Sequence, residues 1–262
     1  MAHMVETMAY AGATPWHGLG VQVPADLSPA QMLEKAGLDW TVQKVPAFAN
    51  IDGKQTNVGW SALVRSSDSE MLSVVSNDWN PVQNHEAFEF FHEYCAAGDM
   101  EMHTAGSLRD GQIVWVLAKI KESFELFKGD TVESYLLFTN PHKFGQSIDV
   151  RFTPIRVVCN NTLTLSLSQN ADRMVKKSHR TEFGAAQVKE QLGIATDKLA
   201  KYKEMAAFLG SKRYNDDSLK DYFNRIFPVL AYNKEKGPQR KDLSKSATRA
   251  LEIIGTQPGA QY

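Results

Sequence analysis

The run Ile113-Val-Trp-Val-Leu-Ala118 constrains the fold of this chain more than any other stretch. Its β-branched and aromatic residues favour a strand, yet no polar residue alternates with them. Such a strand sits centrally, with both faces covered. Other strand-like runs surround it. Residues 40–48, 58–65 and 71–76 form a small antiparallel meander whose first link carries Asp52-Gly53, a hairpin signal. Residues 100–108, 112–120, 132–139, 147–153 and 155–168 continue as strands.

Helical signals separate and follow these runs. Ser28 reads as an N-cap with Pro29 in the first turn, and Gly37 ends that helix. Asn80-Pro81 breaks the chain, Asn84 caps, and 85–97 is helical. Its stripe of Ala87, Phe88, Phe91, Tyr94 and Cys95 lays it on the meander. After Asn170 the pattern changes. Val188, Leu192, Ala195, Leu199, Tyr202, Ala206 and Leu209 mark an amphipathic helix over 187–209, and 219–226 and 245–254 are two more, separated by a basic loop at 233–241.

The predicted class is therefore α+β: an antiparallel sheet or meander with a packed helix, followed by a helical C-terminal extension. The expected organisation is an N-terminal arm and short helix (1–40), a strand-rich core (41–170), a basic helical region (171–254) and a disordered or truncated tail (255–262). Trp16, within Trp16-His17-Gly18-Leu19-Gly20, is expected to anchor the arm in a neighbour's pocket.

With 43% hydrophobic and 10% aromatic residues, 262 residues can fill a core. No run approaches the roughly eighteen apolar residues of a membrane-spanning helix, and the first residues lack a secretory pattern, so a cytoplasmic protein with no membrane partner is expected. Cys95 and Cys159 lie in apolar surroundings and read as reduced, buried thiols. The net charge of −1 conceals a polarity. Residues 1–140 carry 8 Lys+Arg against 18 Asp+Glu, and residues 141–262 carry 21 against 12. That pattern fits a polyanionic partner for the second half, or subunits meeting acidic half to basic half.

Catalytic signatures are weak. There is no nucleophile elbow and no phosphate-binding loop. His85, Glu89 and His92 share one helix stripe and are the candidate metal ligands, but a metal site needs donors from a second element, and none can be placed from sequence. The stronger constellation is basic. Lys143, Arg151, Arg156, Arg173, Lys176, Lys177 and Arg180 fall within 38 residues whose acids are Asp149 and Asp172 alone. Pro154 marks an edge or bulge that could bring both arginines to one strand face. Beyond it, hydroxyl residues alternate with Leu163, Leu165 and Leu167. Asn160 and Asn161 could hydrogen-bond a ligand, and Phe144 could stack on bases. Charges with an aromatic beside a polar strand face are what a single-strand groove needs.

The stretches "PWHGLG", "WNPVQNHEAFEF" and "TNPHKFGQSIDVRFTPIRVVCNNTL" resemble the phage/plasmid-like family known as domain of unknown function 932, over about residues 15–254. The resemblance implies a mobile-element origin. The order of elements and the charge polarity are also compatible with the phage single-strand annealing proteins of the RecT, Redβ and Erf type. The leading expectation is a homo-oligomer, ring or filament, that binds single-stranded DNA and promotes annealing without a cofactor. The alternatives are an interaction protein that binds a host protein, such as a defence inhibitor, and a metal-dependent enzyme.

Overall fold

A computed structural model describes residues 4–121, 124–127, 130–168, 174–192, 216–227, 230–233, 237–240 and 243–256. The chain divides into two units, Met1–Glu204 and Met205–Tyr262. In the first, the elements run β1 (Val5–Tyr10), β2 (Val21–Gln22), α1 (Pro29–Lys35), β3 (Val42–Ile51), β4 (Lys54–Arg65), β5 (Met71–Ser76), α2 (Asn84–Glu89), α3 (His92–Ala96), β6 (Met100–Leu108), β7 (Ile113–Ile120), β8 (Phe124–Phe127), β9 (Asp130–Val132), β10 (Tyr135–Pro141), β11 (Ile148–Thr153), α4 (Asn160–Ser168) and β12 (Met174–Lys177), then a helical stretch α5 at 185–192.

Seven strands form one mixed sheet in the order β12-β11-β10-β7-β6-β1-β2, with β7 at its centre. The missing alternation in Ile113–Ala118 now has its cause. Val114, Val116 and Ala118 join one core, Ile113, Trp115 and Leu117 the other, and all six are buried. Each large apolar side chain buried this way contributes about 1.5–3 kcal/mol. Trp115 also needs a gap in its neighbour strand, since a Cβ at Gly106 would collide with its ring and with the Thr7 carbonyl.

On the first face lie α1, α2, α3 and the three-stranded antiparallel sheet β3-β4-β5. The Asp52-Gly53 turn has both φ angles positive, 50° and 80°, as a tight hairpin of twisted strands requires. Helix α1 begins with the expected Ser28 cap, reinforced by Gln31 in a capping box. The next helix differs from expectation. It starts after Gln83, whose N–H donates to the Glu86 carboxylate at 2.6 Å, is divided into α2 and α3, and packs on β7, β10 and β6 as well as sharing a core with Val42, Leu63 and Val75 of the meander. The Asn84 side chain is buried instead, and donates to the Leu38 carbonyl at 3.1 Å.

Two further expectations are corrected. Residues 5–10 are not part of a free arm, because β1 pairs with β6 along its length. The strand expected at 155–168 is a helix from Asn160. The Thr162 hydroxyl oxygen accepts from the Cys159 N–H at 3.1 Å, closing the first turn, and β12 takes the place beside β11 that the longer strand would have needed. Only Leu163 of the three leucines is buried, so the hydroxyl-rich strand face does not exist.

The expected helix over 187–209 is seen at 185–192, and its remainder lies outside the described residues. In the second unit α6 (Asp216–Ile226) and α7 (Lys245–Thr256) pack together, and between them in sequence the expected loop contains an antiparallel pair, β13 (Leu230–Asn233) with β14 (Gly237–Arg240). Of the expected tail, residues 255 and 256 continue α7 and 257–262 lie outside the described residues. Among the described residues, no helix is long and apolar enough to cross a membrane, and both cysteines are free.

Candidate nucleic-acid interface

The site is built where β10 ends. Asn140 lies buried and donates to the Val82 carbonyl at 2.8 Å, which ties the strand to the segment before α2. His142 is fully buried. Its Nε2 lies 2.9 Å from Asn84 Oδ1. The Asn84 amide nitrogen is already spent on the Leu38 carbonyl, so the oxygen accepts and His142 carries its proton on Nε2. Burial, with a smaller contribution from the charge of His179, pushes His142 down to about 3. With its base thus locked, the turn beyond β10 presents Lys143 and Phe144 and reverses at Gly145, where φ is +78°.

The Phe144 N–H donates to Ser73 Oγ at 3.1 Å, which sets the turn against the edge strand β5. Its ring lies 5.5 Å from that of Trp60 at 62°, and the two side chains are 47% and 40% exposed. Lys177 pairs with Ile148, at the far end of the same turn, and Lys176 follows it on edge strand β12. Beyond them His179 stacks on Trp79 at 4.0 Å, and its carbonyl accepts from the Asn80 N–H at 2.7 Å. Burial pushes His179 down to about 4. Arg180 then stands at the surface, 3.3 Å from Asp78.

The predicted basic set is thereby split. Lys143, Phe144, Lys177 and Arg180 come together at this end of β10, and the exposed Trp60 joins them, whereas Lys176, opposite Asp149 on the neighbouring strand, points to the α4 face. Arg151 does not. It is 3% exposed, and its Nε and one terminal nitrogen each donate to the Asp149 carboxylate at 2.5 Å. Its other terminal nitrogen donates to the Ser166 carbonyl at 2.8 Å. Residues two apart on a strand share a face, so the pair forms within β11 and fastens α4 to it. Arg156 lies near Tyr135, at the opposite end of β10, a seven-residue strand about 20 Å long. There it donates to the Ala11 and Ala13 carbonyls. Asn160 accepts from Arg109, and Asn161 is exposed on α4. Arg173 lies outside the described residues.

His85, Glu89 and His92 are exposed on α2 and α3, and among the described residues no group of three or more His, Cys, Asp or Glu could hold a metal. Trp16 is 70% exposed, and its neighbour His17 contacts the Val158 carbonyl at 3.0 Å, within this chain. Trp60 was missed from the sequence because strand alternation assigns two faces without saying which one solvent sees. The contacts of Asn140 with Val82 and of His142 with Asn84 carried no sequence signal either.

Both buried histidines are bases held neutral, and they predict a stability profile. Above pH 6.5, the ordinary histidine value, each is neutral folded and unfolded. Below it the unfolded chain binds protons that the folded chain refuses until about pH 4 and 3, so stability falls with pH at up to about 1.4 kcal/mol per unit per histidine. Denaturant titrations at pH 7 and 5 check this, and His142→Gln should flatten the slope.

The class defined here is an α+β protein with a two-faced mixed sheet and a basic, aromatic surface at one end of its central strands. The chain belongs to the family described as Domain of unknown function (DUF932), which matches residues 71–253. The matched region opens at β5 and includes both Asn-Pro segments. No curated protein and no solved structure matches the chain.

Proposed function

We propose that this protein binds single-stranded DNA at the end of β10 and, as a homo-oligomer, promotes annealing of complementary strands without a cofactor, in the manner of phage annealing proteins. The observation that carries the reading is the exposed Trp60–Phe144 ring pair with Lys143 and Lys177 beside it. Each ring offers a face to a base, worth about 1–3 kcal/mol, and the lysines neutralise phosphates without selecting sequence. Arg180 adds less, since Asp78 already faces it.

Two lysines on phosphates predict a log Kd against log salt slope of magnitude about 1.4. Fluorescence anisotropy with a labelled oligonucleotide at low and high salt measures it. A salt-independent affinity, or none at low salt, removes the proposal.

A second reading has its own support. Val45, Ala62 and Val74 form a row across the three-stranded sheet beside Val64 and Met71, and Val45, Val74 and Met71 are exposed. An uncharged aliphatic face suits a protein better than a phosphate backbone. If the protein acts by binding a host protein, this face is its contact, and Val74→Glu should release the partner while leaving oligonucleotide binding unchanged.

A further inference from the structure

The opposite end of β10 holds a polar nook that the proposed DNA surface does not use. Between Met102 and Thr104 the register of β6 against β7 slips, making His103 the extra residue of a bulge. Bulges re-aim a side chain, and here the imidazole is laid on Tyr135, with ring centres 5.2 Å apart. The loop after β1 closes over it. The Ala11 N–H donates to the His103 carbonyl at 2.7 Å, and Gly12 stands so near that a Cβ there would be 3.6 Å from His103 Cε1.

Arg156 reaches the same loop from below, with one terminal nitrogen donating to Ala11 O at 3.0 Å and Ala13 O at 2.6 Å. Both acceptors are neutral, and among the described residues no carboxylate forms a salt bridge with this cation and its buried Nε has no acceptor. A buried donor left unmet costs about 1–3 kcal/mol, so Arg156 is held against the loop at a cost. The remaining charges are paired: Lys119 with Glu133, which also accepts from Tyr135 at 2.5 Å, and Lys121 with Glu101. Among the described residues, the nook is left with one cation without a salt bridge beside an imidazole that has a ring contact but no side-chain hydrogen bond.

We propose that this nook is a phosphate-binding site, with the Arg156 guanidinium and the His103 ring as donors. The phosphate could belong to a free nucleotide or to the end of a nucleic-acid strand. Burial and the charge of Arg156 hold His103 down to about 4, so a bound dianion should be legible on that ring.

The test is a titration of the full chain followed by long-range proton–nitrogen NMR of the His103 ring, using inorganic phosphate, thymidine 5′-monophosphate, and an oligonucleotide with and without a 5′-phosphate. Binding is expected to shift the ring signals and raise the His103 value by about 1–3 pH units. His103→Gln and Arg156→Gln should each weaken thymidine 5′-monophosphate at least about tenfold, while Lys143→Ala/Phe144→Ala leaves that affinity unchanged. A response to mononucleotide assigns a free ligand, and one confined to the 5′-phosphorylated strand assigns a nucleic-acid end. The proposal is overturned if millimolar phosphate, mononucleotide and phosphorylated strand all leave the wild-type ring unmoved. It is equally overturned if folded His103→Gln binds as well as wild type. Loss of oligonucleotide binding at Trp60 with the His103 response intact would leave the two sites independent.

Discussion

Arg151→Ala is expected to destabilise the first unit by about 3–5 kcal/mol, lowering Tm by roughly 10 °C. The substitution leaves the Asp149 carboxylate buried without its bidentate partner, and removes the donor that holds the Ser166 carbonyl of α4. Removing both charges is different. Asp149→Leu/Arg151→Met should recover most of the loss, because two well-packed apolar groups avoid the desolvation of either ion. Denaturant unfolding of wild type and the two variants measures this. Equal instability of the single and double variants would show that the ion pair is not what Arg151 supplies. At temperatures where Arg151→Ala is folded, its affinity for single-stranded DNA should equal that of wild type, since the side chain does not reach the surface.

The reverse outcome is expected at the aromatic pair. Trp60→Ala/Phe144→Ala should weaken single-stranded DNA binding by about 2–5 kcal/mol, roughly thirtyfold to several-thousandfold, with little change in Tm. Both rings are substantially exposed, so their removal costs the fold little. The contact is with base faces, so the loss should be nearly independent of sequence and should not alter the salt slope. Lys143→Ala/Lys177→Ala should instead lower the slope by about 1.4. Anisotropy titrations across salt concentrations separate the two effects. If the aromatic double variant binds as wild type does, the ring pair is not a stacking platform and the aliphatic sheet face becomes the better candidate surface.

These contrasts show where sequence reasoning held. The cap at Ser28, the Asp52-Gly53 turn, the meander and the doubly covered β7 were legible because each depends on residues adjacent in the chain. A capping hydroxyl, a positive φ and a missing alternation are local facts. The helix at Asn160–Ser168 was not legible. Its Thr-Leu-Thr-Leu-Ser-Leu-Ser pattern has the period of a strand, and it is helical because β12 pairs with β11 and Arg151 holds the α4 carbonyl. The basic cluster was found as composition, but adjacency in sequence did not make it one surface.

By itself the sequence determined the class of fold, the central strand, the local caps and turns, and the basic, aromatic residue types near position 143. Only the tertiary structure decided which of those charges meet solvent. Arg151 and Arg156 are drawn to a carboxylate and to backbone carbonyls that strand pairing brings within reach, because a buried guanidinium needs acceptors on several sides. Lys143, Lys176 and Lys177 lie on a turn and an edge strand, where a charge keeps its water. Trp60 and Phe144, 84 positions apart, become one surface because the Asn-Pro-His segment is buried beneath them.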